Sequence, residues 1–68
     1  MKIEYDKEVD AAYIYLEHPI KEGEAKKTVK VKEDINIDFD NKGKLLGVEI
    51  LNASRHLNKK LILEAQRA

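Results

Sequence analysis

Cysteine and tryptophan are absent from the 68-residue chain, and proline occurs once. Without cysteine, neither a disulfide nor a thiolate metal site can stabilise the fold. The chain also has no excess of charge, because 13 basic residues balance 13 acidic ones, and this argues against a strongly basic nucleic-acid binder. No apolar run resembles a signal peptide or approaches the ~20 residues of a membrane span. We therefore expect a soluble, cytoplasmic protein with a single domain over residues 1–68.

The sequence does contain strand-like alternation, and it is clearest in residues 35–50. Two alternating runs flank a turn that contains Gly43: Ile35, Ile37 and Phe39 before it, and Leu46, Val48 and Ile50 after it. This pattern predicts a β-hairpin with one apolar face. A four-residue loop would place all six apolar residues on that face, with Phe39 opposite Leu46, Ile37 opposite Val48 and Ile35 opposite Ile50.

Three earlier segments, residues 2–5, 12–16 and 26–32, are also rich in β-forming residues. Together with the hairpin they predict an α+β fold. We expect an antiparallel meander sheet of about five strands in residues 1–51, with one C-terminal helix (residues 52–68) packed on its apolar face. The expected core comprises Ile3, Ile14, Leu16, Val29, Val31, Ile35, Ile37, Phe39, Leu46, Val48, Ile50, Leu57 and Leu61.

The predicted helix carries more apolar surface than one sheet face can cover. Leu61, Ile62 and Leu63 are consecutive, so apolar side chains extend over more than half of the helix circumference. This pattern indicates a partner interface, formed either with a second copy or with another protein. The alternative is that Ile62 or Leu63 is simply an exposed residue near the end of the helix.

The hairpin also resembles a calcium-binding EF-hand loop in its spacing. Asp38, Asp40, Gly43 and Glu49 match the first, third, sixth and twelfth positions of such a loop. However, Lys42 stands where a ligand oxygen is needed, and the flanking segments alternate like strands instead of helices. We therefore interpret the segment as a hairpin with a polar outer face, and no metal site is predicted.

No other group of residues predicts catalysis or a cofactor site. His18 and His56 are interpreted as surface histidines, because their spacing suggests no shared metal. Ser54 lacks the glycines of a nucleophile motif and is better placed as a helix-terminus residue. We therefore predict a protein that is not an enzyme and has no cofactor.

One stripe of basic residues needs a separate interpretation. Lys26, Lys30 and Lys32 share one predicted strand face, and Tyr13 and Tyr15 lie together on a neighbouring strand. Such a surface could contact phosphates and stack bases, which makes a weak nucleic-acid binder the alternative function. Lysines on an exposed strand also prevent edge-to-edge aggregation, and the zero net charge favours this second interpretation.

Three segments of the chain form a recognisable set. They are a Tyr-Asp pair at residues 5–6 followed by the run from Asp10 to Leu16, the residues 38–43, and the run from Leu46 to Ser54. Together they resemble the small prokaryotic family known as domain of unknown function 2283. Asn52 stands where that family often has Asp. The resemblance implies a small sheet followed by a helix and no assigned activity, and members are suspected partners of toxin-like proteins. It carries over no catalytic residue.

The function predicted from these observations is a small non-enzymatic protein-interaction module. Its expected partner is a second copy, which would form a homodimer, or another small protein such as a toxin-like protein that it neutralises. The motivation is the wide apolar surface at Leu61, Ile62 and Leu63. In a domain this small, association supplies burial that the core alone cannot.

Overall fold

The structure, a computed structural model, describes residues 2–67, and only the backbone of residues 66 and 67. It forms one sheet and two short helices, which confirms the predicted α+β class. The elements in chain order are β1 (Lys2–Asp6), β2 (Ala11–Tyr15), β3 (Lys27–Lys32), β4 (Ile35–Phe39), β5 (Leu45–Leu51), α1 (Ala53–His56), α2 (Lys59–Glu64) and β6 (Gln66–Arg67).

The strands do not follow the sequential order of the predicted meander. Their order across the sheet is β3-β4-β5-β2-β1-β6, so that β5 lies between β4 and β2. Strands β1 to β5 pair antiparallel, and the two residues of β6 pair parallel with β1. Composition explains the order. Strands β2 and β5 contain the buried residues and lie inside the sheet, whereas the lysine-rich β3 is exposed along its whole length at the edge.

The register of the central hairpin is confirmed at two of its three predicted pairs. Ile35 lies opposite Ile50 and Ile37 opposite Val48, as predicted. The third pair is wrong, because Phe39 lies opposite Leu45 instead of Leu46. A β-bulge at Asp38/Phe39 shifts the register by one residue before the turn. Alternation alone assumes an unbroken ladder and therefore cannot predict such an insertion.

The C-terminal segment is two short helices and not the single helix predicted over residues 52–68. Helix α1 ends at His56, Leu57 is extended, and Asn58 precedes α2 in an extended conformation. Both helices are short: α1 has four residues and α2 has six. Neither described helix is long and apolar enough to cross a membrane.

The buried core is much smaller than predicted. Among hydrophobic residues of the described chain, only four are buried: Ala12, Leu46, Ile50 and Ala53. Leu46 and Ile50 were expected, but Leu16 is 45% exposed, Val29 37% and Val31 55%. The other expected core residues are half-buried. The two small residues Ala12 and Ala53 are buried because α1 approaches the sheet closely at this point.

Candidate functional site

The sheet has an apolar side and a polar side, and the register shows which residues share each. Ile14 lies opposite both Ile3 and Val48, and Val48 in turn lies opposite Ile37. Val29 on the edge strand continues this row, because it lies opposite Ile37. Directly paired residues of adjacent strands point to the same side of a sheet, so the row forms one apolar surface across five strands.

The helices cover only part of the apolar side. Ala53 of α1 packs with Ala12 and Ile50, and Leu57 packs against the same cluster, so coverage is centred on β2 and β5. Towards β3 and the end of β4 the apolar side is more open, because Val29 is exposed and neither Ile37 nor Phe39 packs against this cluster. We call Val29, Ile37 and Phe39 the open face. A cavity of about 470 Å³ lies beside it, lined by Val29, Phe39 and neighbouring polar residues.

Asp10 fastens the helical segment to the sheet. Its backbone lies in the left-handed region with φ of 51°, which an Asp tolerates better than most residues. Its Oδ1 accepts the Tyr5 hydroxyl at 2.7 Å and the Ser54 backbone N–H at 3.0 Å, and its Oδ2 accepts the Ser54 hydroxyl at 2.7 Å. The Ala53 N–H donates to the Asp10 carbonyl at 2.8 Å. A side chain 44 positions away in sequence from Ser54 therefore caps α1.

These contacts also set the electrostatics of the cluster. The Ser54 hydroxyl, and after it the Tyr5 hydroxyl, hold the pKa of the Asp10 carboxyl below its usual value. The same hydrogen bond to Asp10 raises the pKa of Tyr5. Both the hydroxyl and the backbone N–H of Ser54 donate to the Asp10 carboxylate, so the contact caps α1.

A second pair fastens α1 to the turn between β3 and β4. His56 Nε2 lies 2.9 Å from Asp34 Oδ2, and the Asn52 side-chain amide donates to Asp34 Oδ1 at 3.3 Å. The hydrogen bond with His56 is the main cause that lowers the pKa of Asp34. His56 thus contacts Asp34, which lies 22 positions earlier in the sequence. The interpretation of His56 as a surface histidine did not predict this contact.

The polar side of the sheet carries a hydrogen-bonded network. Asp38 accepts the Tyr13 hydroxyl at 2.8 Å and the Thr28 hydroxyl at 2.6 Å, so it links β2 and β3 to β4. Tyr15 donates to Glu4 at 2.7 Å. Burial, and then the bond to Asp38, raises the pKa of Tyr13. Both tyrosine hydroxyls therefore donate to carboxylates. The negative charge beside Tyr13 and Tyr15 disfavours a phosphate at the surface that could have stacked bases.

The predicted lysine stripe is arranged differently from the simple alternation of the sequence. Lys26 lies just before β3, and its N–H donates to the Phe39 carbonyl at 2.9 Å. A bulge between Lys30 and Lys32 places them opposite adjacent residues of β4. Since adjacent strand residues point to opposite sides, the regular alternation of the stripe is interrupted here. All of these lysines are exposed.

The predicted partner interface on the C-terminal segment lies in α2. Leu61 and Ile62 are half-buried, and Leu63 is 74% exposed. Ile62 and Leu63 line one wall of a groove of about 720 Å³ whose other wall is the β1–β2 turn, with Lys7 and Glu8 among its residues. Of the three predicted interface residues, only Leu63 is therefore largely exposed.

The comparisons with known proteins agree with the sequence resemblance. A model of the family described as "Protein of unknown function (DUF2283)" matches residues 2–54. The chain is similar to an uncharacterized protein of Methanocaldococcus jannaschii, MJ0789, with 45% identity over 58 residues. That match covers 85% of this chain and 46% of the relative, so the chain spans about half of the relative's length. No solved structure is a significant match.

Proposed function

This chain belongs to the DUF2283 family of proteins of unknown function, and we propose that it is a small non-enzymatic interaction module that pairs with a second copy of itself through the open face. The observation that supports the proposal is the uncovered apolar side of β3 and β4. Val29 is exposed, Ile37 and Phe39 are half-buried, and none of the three is in the cluster that packs with Ala53 of α1, to which β4 contributes Ile35. Exposed contiguous apolar surface of this kind marks interaction sites.

The accessible area supports a second copy as the occupant. The chain exposes 5210 Å², whereas a compact monomer of 7.8 kDa is expected to expose about 4,400 Å². The excess of about 800 Å² is close to what each partner buries in an interface of standard size. An interface that buried this excess would have to extend beyond Val29, Ile37 and Phe39 to the residues around the open face, because these three are already partly covered.

The charges near the open face favour face packing over edge pairing. An edge-to-edge dimer through β3 would bring Lys27, Lys30 and Lys32 near their copies in the second chain. Such like-charge contacts are destabilising and are a common device against edge association. Packing the apolar sides against each other instead removes Val29, Ile37 and Phe39 from water. Lys27 and Lys32 lie opposite Phe39 and Ile35 and so point to the same side, but their long side chains let the ammonium groups reach the rim.

Light scattering on the purified chain at tens of micromolar tests the proposal. We expect a dimer for the natural sequence and a monomer for Val29→Glu, because the substitution places a charge in the buried contact. Leu63→Glu is the matched control, since it adds the same charge at an exposed leucine of α2, outside the open face. We expect this control to stay dimeric. Amide spectra of both variants show whether each remains folded.

Three outcomes would overturn the proposal. A natural chain that is strictly monomeric at about 100 μM has no second-copy interface of useful strength. Disruption by Leu63→Glu together with no effect of Val29→Glu would place the contact on α2 instead of the open face. If the open face is protected only when a different small protein, such as a toxin-like protein, is added, then that protein and not a second copy is the occupant.

A further inference from the structure

The outer edge of β3 is a free strand edge. Among the described strands, β3 pairs with β4 alone and lies at the end of the sheet order. In an antiparallel pair, alternate residues of an edge strand direct their N–H and C=O groups away from the sheet. All six residues of β3 are exposed. The backbone groups on the outer side of this strand are thus available to an added strand.

The same edge carries a cluster of positive charge. Lys26, Lys27, Lys30 and Lys32 lie within seven positions, and all are exposed. Within the part of the chain that the structure describes, none of them is in a salt bridge. The nearest carboxylates, Asp38 on β4 and Asp40 just after it, bond to hydroxyls and to backbone N–H groups and not to these ammonium groups.

We propose that the outer edge of β3 binds an acidic peptide segment in extended conformation, as an additional strand of the sheet. Strand addition supplies affinity through main-chain hydrogen bonds, and the side chains of the added strand supply specificity. The lysine cluster attracts an acidic strand and repels the lysines of a second copy of β3. The same charges therefore favour binding of an acidic partner and prevent self-association at this edge. The proposal is independent of dimerisation through the open face.

The backbone edge distinguishes a peptide from a nucleic acid as the occupant. Lysines alone would suit either polyanion, but only a polypeptide strand can satisfy a row of alternating N–H and C=O groups at strand spacing. The hydroxyls of Tyr13 and Tyr15 donate to Asp38 and Glu4, and these carboxylates would repel phosphates on the polar side. The observations therefore favour the acidic peptide.

An NMR titration with a defined peptide tests the proposal. The probe is acetyl-Glu-Val-Glu-Thr-Glu-Val-Glu-amide, which is acidic and has strong β propensity. We expect amide shifts and slower hydrogen exchange confined to β3, and binding weakened roughly tenfold by replacing Lys26, Lys27, Lys30 and Lys32 with Gln. The matched control replaces Lys7, Lys21, Lys59 and Lys60 with Gln, which removes the same charge elsewhere, and it should bind like the natural chain.

A second probe separates strand addition from simple charge attraction. The same peptide with its central Thr replaced by Pro keeps all four carboxylates but loses a backbone N–H and the extended ladder. We expect it to bind at least several-fold more weakly. Equal binding of the proline peptide, no shifts in β3 at millimolar acidic peptide, or tighter binding of a single-stranded oligothymidine at β3 would each overturn the proposal.

Discussion

The ring of Tyr13 crosses the backbone of Gly47 to reach Asp38. A Cβ placed on Gly47 would lie 2.5 Å from Tyr13 Cε2, which is closer than side chains approach each other. Gly47 lies opposite Asp38 in the β4–β5 ladder, and the Tyr13 hydroxyl donates to Asp38 at 2.8 Å. The glycine is therefore required for close approach of a side chain and not for an unusual backbone angle.

Gly47→Ala should destabilise the protein by about 1–3 kcal/mol, because the added methyl displaces the Tyr13 ring and its hydrogen bond. Urea unfolding at fixed protein concentration measures the effect. A double-mutant cycle with Tyr13→Ala provides the control, since removal of the ring should relieve most of the cost of Gly47→Ala. A cost that is the same in both backgrounds would contradict this explanation.

Leu45 and Leu46 are adjacent but should respond very differently to truncation. Leu46 is fully buried, whereas Leu45 is 51% exposed. Leu46→Ala should cost about 2–5 kcal/mol of unfolding free energy, and Leu45→Ala no more than roughly 1 kcal/mol. Thermal unfolding of both variants tests the prediction. Similar losses for the two variants would contradict the bulged register at Asp38/Phe39.

The register of the central hairpin shows what sequence reasoning can and cannot predict. Period-two alternation correctly paired Ile37 with Val48, because burial of one face selects one register. It could not locate the bulge next to Phe39, since an inserted residue leaves the apolar pattern on each side unchanged. It also overestimated the core, because alternation shows which residues share a face and not whether anything covers that face.

The contact between Asp10 and Ser54 was equally beyond the sequence pattern. Both residues lie in the segments that carry the family resemblance, yet only the fold brings them together across 44 positions. A cap supplied by a distant strand turn has no local signature, in contrast to the capping residues that usually precede a helix. The same holds for His56 and Asp34, which pair through the path of the chain after β5.

The Asp10 cluster predicts a specific loss of stability in acid. Because the hydrogen bonds from Ser54 and Tyr5 lower the pKa of Asp10 in the folded state, the unfolded state binds more protons at acidic pH. The stabilisation is fully present above the unfolded pKa of about 3.9 and is lost as pH falls through the folded pKa. Asp10→Asn should therefore be less stable at neutral pH and should show a shallower decline in acid.

Urea unfolding between pH 2.5 and 6 at one protein concentration would measure this decline. Asp6→Asn is the matched control, because it removes the same charge at the end of β1, just before the turn, and the Asp6 carboxylate accepts the Glu8 N–H. Its acid decline should resemble that of the natural chain. An unchanged decline in Asp10→Asn would show that other carboxylates, such as Asp34 and Asp40, dominate acid unfolding.

Tyr13 predicts the opposite dependence in alkali. Burial, and then the bond to Asp38, raises its folded pKa above the unfolded value of about 10. Its contribution is fully present below pH ~10 and is lost as pH rises through the folded pKa, by at most about 1.4 kcal/mol per pH unit. Tyr13→Phe should flatten the decline between pH 9 and 11.5. Tyr15→Phe should flatten it less, because the hydrogen bond to Glu4 raises that pKa less strongly. Equal slopes in the two variants would contradict the greater burial of Tyr13.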